Sequence, residues 1–161
     1  MDSLKYPIGK FEYPKNISHE DLKKWIQTIA AFPNEVEALI VPLTETELSW
    51  PYRPQGWTVS QVVHHCADSH FHATTRIKLA PTEDHPTIRP YEENLWAELY
   101  DSRHASMQDS LNILFGLHEK WTLLLQHLSE KEWNRAFYHP GNQKSSTIKE
   151  ATAQYSWHCN H

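Results

Sequence analysis

The chain has 161 residues and a formal net charge of −5, which suits one domain with a substantial core. The acidic balance argues against nucleic acid or an anionic membrane as the main partner. The chain also has no run of about 18 apolar residues, which is the length that a membrane-spanning helix needs. The N-terminus shows no basic flank before an apolar stretch, and the two cysteines make no disulfide framework, so we expect a cytoplasmic protein.

The first two long helices are each predicted by a capping box, in which a Ser or Thr precedes an Asp or Gln by three residues. The first helix begins at Ser18, and Pro33 is expected to interrupt and kink it. The second helix begins at Thr58, and Pro81 is expected to stop it after Ala80.

A third helix is predicted from about Ser106 to Leu128, where apolar residues recur at helical spacing. A fourth begins at Thr147, capped through Glu150, and reaches His161 with neither a glycine cap nor a closing proline, so we expect the chain to be truncated within this helix. Short helical turns are expected at "TETEL" and "SEKEWNRAF", and strand signals are weak throughout.

These elements predict an all-α fold: a single four-helix bundle domain over residues 1–161. A long Pro-rich connection joins helices 2 and 3 of this bundle, over residues 81–105. A connection of that length is uncommon in a compact domain, so we expect it to be functional or to pack as a lid.

The chain contains twelve histidines, four of them in the segment "QVVHHCADSHFH" of the second helix. His70 lies in the middle of the apolar stripe of that helix, and a neutral core histidine with a hydrogen-bond partner is expected there, as it is for His118. His65 and His72 lie on the flank of the stripe. His64 lies on the far side, where we expect it to be solvated.

On the fourth helix, His158 lies on the shoulder of the apolar stripe and His161 follows one turn later, rotated outwards. A catalytic divalent ion needs three protein donors and an open coordination position, and shoulder positions of a bundle can supply both. His65 and His158 are therefore candidate ligands, although their spacing also fits polar core residues. The neighbouring Cys66 and Cys159 are expected to be small buried thiols.

Segments along nearly the whole chain resemble the DinB/YfiT-like metalloenzyme superfamily, and its YfiT branch in particular. They are "YPIGKFE", "YRPQGWTVSQVVHHCADSH", "PTIRPYEENLWAEL", "LHEKWTLLL", "FYHP" and "YSWHCNH". The resemblance implies a four-helix bundle that holds one divalent metal ion with three histidines, one from helix 2 and two from helix 4.

Carried over by position, the resemblance implies that His65 and His158 are metal ligands. The third ligand of the family would follow at residue 162, so either His161 replaces it from one residue earlier or the donor lies just beyond the end of this chain. On the same resemblance His70, His72 and Asp68 are candidates for supporting the ligands or lining the pocket.

The implied activity is that of a metal-dependent hydrolase acting on a small molecule, with zinc or nickel as the first candidates for the metal and iron or manganese as further ones. One alternative is transfer of a low-molecular-weight thiol, which the lack of an HExxH-type carboxylate favours. Another is a metal- or ligand-binding stress module without catalysis.

Arg53, Arg76 and Arg89 could hold an anionic substrate. The seven tryptophans and seven tyrosines favour a homodimer.

Overall fold

The computed structural model describes residues 2–161, which are mostly helical. In chain order the elements are α1 (Asp2–Lys5), α2 (His19–Ile40), α3 (Glu45–Leu48), α4 (Val59–Thr82), α5 (Glu93–Trp96), α6 (Tyr100–His104), α7 (Met107–His127), α8 (Glu130–Trp133), β1 (Ala136–His139), β2 (Lys144–Thr147) and α9 (Ile148–Asn160).

The four long helices α2, α4, α7 and α9 form the predicted four-helix bundle. Both α2 and α4 pack against α7 and α9, so the two helices that come first in the chain lie across a diagonal of the bundle. Apolar side chains fill the interior, with Ile29, Leu114 and Trp121 fully buried. None of the helices over residues 2–161 is long and apolar enough to cross a membrane.

Capping boxes begin three of the four long helices, as predicted. The hydroxyl oxygens of Ser18 and Thr58 accept hydrogen bonds of 3.1 Å from the backbone N–H groups three residues ahead. The Thr147 hydroxyl accepts the equivalent bond of 3.2 Å at the start of α9. Caps of this kind are each worth about 1 kcal/mol of stability, which explains why local sequence marks these starts well.

The two prolines act differently from the expectation. Pro33 does not interrupt α2, which continues to Ile40, and α4 runs two residues past its predicted end to Thr82. Because proline lacks an N–H, Pro33 leaves the Ile29 carbonyl without its helical donor. The ring of His118 donates to that carbonyl from α7 instead, at 2.6 Å.

A short antiparallel hairpin, β1 with β2, was not predicted, and the helical turn expected over "SEKEWNRAF" ends early. Only Glu130–Trp133 is helical there, and Phe137 lies in β1, paired with Ser146 and almost fully buried. The Tyr138 carbonyl also accepts a bond of 2.9 Å from the Ile88 N–H. The hairpin is thus stabilised by contacts with distant parts of the chain.

The connection between the second and third long helices packs on the bundle rather than extending from it. It contains α5 and α6, and its Ile88 and Ala97 are buried. The side-chain amide of Gln61 on α4 donates to the Ala97 carbonyl at 2.7 Å. The segment therefore covers one face of α4.

Candidate metal centre

His65 on α4 and His158 on α9 lie side by side, with their ring centroids 5.8 Å apart. Both rings are half-buried. The ring of Trp57 lies 4.8 Å from that of His65, and the ring of Tyr155 lies 5.9 Å from that of His158. The structure therefore brings together two of the three predicted ligands, from two different helices of the bundle.

Both imidazoles are neutral at physiological pH. Burial lowers the pKa of His65 to about 4. Burial also lowers the pKa of His158 to about 3, and the neighbouring rings of His65 and His161 contribute to this shift. A neutral imidazole keeps one unprotonated ring nitrogen, which is the form that binds a metal ion.

His161, the third predicted ligand, is turned away from this pair. Its side chain is exposed, and its Nε2 lies 2.9 Å from the carbonyl oxygen of Lys5, with the ring against Tyr6. Across residues 2–161, no group of three His, Cys, Asp or Glu side chains is arranged to hold a metal ion. The structure thus shows a pair of converging donors rather than a complete ligand set.

His70 and His118 are core histidines with hydrogen-bond partners, as predicted. His70 is completely buried and His118 is 1% exposed. The His70 Nε2 lies 2.9 Å from the Nδ1 of His158, and the His70 Nδ1 lies 2.8 Å from the Nε2 of His118. The interior of the bundle is thereby connected to the candidate ligand on α9.

The expectation that His64 is solvated is wrong. His64 is 5% exposed, and its Nδ1 lies 2.7 Å from the Ser110 hydroxyl oxygen of α7. Both α6 and α7 pack against α4, so the side of α4 that helical periodicity assigns to solvent is covered. Burial lowers the pKa of His64.

Asp68 lies one turn after His65 on α4 and is also half-buried. Burial raises the pKa of its carboxyl to about 6, and the negative charge of Asp101 on α6 adds to the shift. A carboxyl with a pKa near neutrality can exchange protons at physiological pH. Asp68 is therefore the carboxylic acid nearest in the sequence to the candidate ligand on α4.

The two cysteines pack as thiols on apolar surroundings. Cys66 and Cys159 are free, and both contact the buried cluster of Phe32, Ala67 and Leu114. Burial raises the pKa of Cys66 to about 12 and raises that of Cys159 as well. Thiols held protonated in this way are poor metal ligands and nucleophiles.

A cavity of about 750 Å³ lies between α4 and the long connection. Its lining consists of His72, Thr75, Arg76, Leu79, Ile88, Arg89, Pro90, Tyr91, Glu92, Leu95, Trp96 and Leu99. The rings of His72 and Tyr91 stack with centroids 4.3 Å apart. The Arg76 guanidinium donates to the Tyr155 hydroxyl at 3.4 Å, which places this cavity next to the residues around His158.

Sequence reasoning found part of this cavity. Arg76 and Arg89 line it, whereas Arg53 donates to the Tyr52 hydroxyl at 2.8 Å and lies outside it. Tyr91 and Trp96 were missed, although the aromatic residues of "RPYEENLWAEL" were a signal that the connection covers something. Their place in the site depends on how the connection folds back on α4.

Comparisons with known proteins give one consistent result. A family model described as the DinB superfamily matches residues 28–161. A Bacillus subtilis (strain 168) protein named "Putative metal-dependent hydrolase YfiT" is 43% identical over 99% of this chain and 89% of its own. A Geobacillus thermodenitrificans protein named "Putative metal-dependent hydrolase" is 40% identical over 100% of this chain and 90% of its own.

A solved structure agrees with the sequence comparison. YfiT from Bacillus subtilis, described as a probable metal-dependent hydrolase with an unusual four-helix bundle topology, matches with a TM-score of 0.96 and 43% identity. The match covers 99% of this chain and 91% of that one. The resemblance inferred from sequence segments is confirmed, and with it the bundle. The chain belongs to the DinB superfamily.

Proposed function

We propose that this protein is a metal-dependent hydrolase that acts on a small molecule, with a divalent ion held by His65, His158 and His161. The observation that carries the proposal is the pair of neutral imidazoles from α4 and α9, whose centroids lie 5.8 Å apart. Two imidazole donors fit zinc or nickel, which both accept nitrogen ligands readily. His161 would complete the set after leaving the Lys5 carbonyl.

A bound divalent ion supplies Lewis acidity and the means to activate water. The chain's own residues would bind and orient the substrate. The cavity offers a stacked aromatic wall, His72 on Tyr91, and the Arg76 guanidinium facing the Tyr155 hydroxyl. This lining suits a small molecule with an apolar body and an anionic group.

Hydrolysis also needs a group that takes a proton from water. Asp68 is our candidate, because its carboxyl is half-buried, lies one turn from His65 and has a pKa raised to about 6. A base of this pKa is largely deprotonated at pH 7 and still basic enough to accept a proton. Asp101, whose charge contributes to the raised pKa, would tune it from α6.

Transfer of a low-molecular-weight thiol to an electrophile is the second candidate. It is favoured by the finding that, within the described part of the chain, no carboxylate joins the histidine pair to form a metal-binding group. A divalent ion held by His65 and His158 would make a bound thiol more acidic, so this chemistry would need no separate protein base and would make fewer demands on the residues present.

The ligand assignment is tested by elemental analysis of protein loaded with zinc or nickel and freed of excess metal. His65→Ala and His158→Ala should each abolish uptake, and His161→Ala should weaken it. His64→Asn is the matched control, since it removes a buried imidazole of the same helix that faces Ser110. Undiminished uptake in both His65→Ala and His158→Ala would refute the metal site.

The reaction is tested with the loaded wild-type protein on two substrate panels, one of activated esters and amides and one of thiols with electrophiles. Turnover of the first panel that stops on chelation supports hydrolysis. Turnover of the thiol panel alone would show that the reaction is thiol transfer rather than hydrolysis. Tight metal uptake with no turnover on either panel would favour a binding module.

A further inference from the structure

Four polar groups form a continuous chain through the interior of the bundle, from the backbone of α2 to the candidate ligand His158. The Ile29 carbonyl oxygen lies 2.6 Å from the His118 Nδ1, the His118 Nε2 lies 2.8 Å from the His70 Nδ1, and the His70 Nε2 lies 2.9 Å from the His158 Nδ1. Three helices besides α2 contribute to this chain: α7, α4 and α9.

The first link determines where its hydrogen lies. A carbonyl oxygen only accepts hydrogen bonds, so the His118 Nδ1 must carry the hydrogen. This carbonyl is available because Pro33, four residues later, has no N–H to donate to it. The His118 ring is 1% exposed and lies against Phe32 and Trp121, an apolar setting that keeps it neutral. Its Nε2 is therefore an acceptor.

The remaining links follow in sequence. Because the His118 Nε2 accepts, the His70 Nδ1 must donate, and the fully buried, neutral His70 then has an unprotonated Nε2. That nitrogen accepts from the His158 Nδ1–H. The neutral His158 is left with its lone pair on Nε2. In the opposite tautomer, the unprotonated His118 Nδ1 would face the Ile29 carbonyl oxygen, and that buried carbonyl would have no donor from His118.

We propose that the Ile29 carbonyl, His118 and His70 act as positioning residues that hold His158 in its Nδ1–H tautomer and present its Nε2 lone pair to the metal ion. This inference rests on the metal site of the proposed function. The hydrogen bond made by one imidazole nitrogen decides whether the other is free to bind a metal. Here the tautomer of His158 is set through two intervening rings, because Pro33 leaves the Ile29 carbonyl free to accept from His118.

The tautomers can be read directly in metal-free protein labelled with ¹⁵N in the histidine rings. At neutral pH, two-bond ¹H–¹⁵N correlations should show His70, His118 and His158 with a protonated Nδ1 and an unprotonated Nε2. Loss of one set of signals in His118→Phe assigns that ring. A protonated Nε2 on His118 or on His158 would overturn the inference.

The positioning role is tested by zinc affinity, measured in competition with a chromogenic chelator. His118→Phe keeps a ring but removes both links, and should weaken zinc binding about 10- to 100-fold, the range found when partners of metal-bound histidines are removed. Thr122→Val is the matched control: its hydroxyl lies one turn along α7 and bonds the His118 carbonyl, not the ring. The control should bind zinc like the wild type.

Pro33→Ala provides a second variant should His118→Phe fail to fold. It restores a backbone N–H that can donate to Ile29, so a smaller loss of zinc affinity is expected together with partial loss of the His118 Nδ1–H signal. Wild-type affinity in His118→Phe, or in Pro33→Ala where His118→Phe does not fold, would overturn the positioning role. If the wild-type protein takes up no zinc although its histidines have the Nδ1–H tautomers, the proposed function is overturned, and with it the metal-facing part of this inference. If the protein takes up zinc but His158 has the other tautomer, this inference alone is overturned.

Discussion

Acidification should destabilise the metal-free protein through His118. Burial lowers the pKa of this ring from 6.5 to about 4. Because the unfolded chain takes up a proton near pH 6.5 and the folded one only near pH 4, the unfolded state gains protons first as the pH falls. The stability that His118 contributes is complete above pH 6.5 and is lost between these two values.

The size of the effect follows from the shift. One unit of pKa difference corresponds to about 1.4 kcal/mol, so lowering the pH from 7 to 5 should cost about 2 kcal/mol through this one ring. With a urea dependence of about 2 kcal/mol per molar, the unfolding midpoint should move by about 1 M. Other buried histidines add to the total, so the contribution of His118 must be isolated by comparison with a variant.

His118→Gln isolates that contribution, because glutamine can donate to Ile29 and accept from His70 without titrating in this range. In chelator-treated protein, urea unfolding at several pH values should give a pH slope shallower than that of the wild type by about 1.2 kcal/mol per unit between pH 6 and 5. Thr122→Val should lower stability equally at every pH. Parallel slopes for the wild type and His118→Gln would refute a neutral, buried His118.

Three further outcomes test other parts of the site. Asp68→Asn should remove the acid limb of the pH–rate profile and Asp101→Asn should move that limb to lower pH, since Asp101 helps raise the pKa of Asp68; a profile unchanged in both would exclude Asp68 as the base. Arg76→Met should raise KM for an anionic substrate more than it lowers kcat, whereas Arg53→Met, outside the cavity, should change neither. Thr147→Ala, which removes the cap of α9, should cost about 1 kcal/mol, visible as a lower Tm.

The long helices were predictable because their signals are local. The boxes at Ser18, Thr58 and Thr147 involve residues three positions apart, and the apolar spacing decides which face is buried. The hairpin was not predictable, because four-residue strands show too little alternation and their pairing depends on Ile88, about fifty residues away from β1. Pro81 misled the prediction of a helix end, since α4 continues through it to Thr82.

The candidate site was predictable to a similar extent. Periodicity correctly placed His70 and His118 in the core, but their partners depend on how four helices are arranged in space. It failed for His64, because an α6 formed within the connection covers a helix face that would otherwise meet solvent. Whether His161 binds metal stays a prediction, and so does its release from Lys5.

The diagonal arrangement of α2 and α4 has a consequence for how the protein folds. Each of these helices finds its main packing partners in α7 and α9, which come later in the chain. A nascent polypeptide that has left the ribosome only as far as α4 therefore has two amphipathic surfaces and no neighbour to bury them. Stable structure must await the C-terminal half, so its folding rate should be governed by the closure of long loops, and the unfinished chain should be a substrate for chaperones.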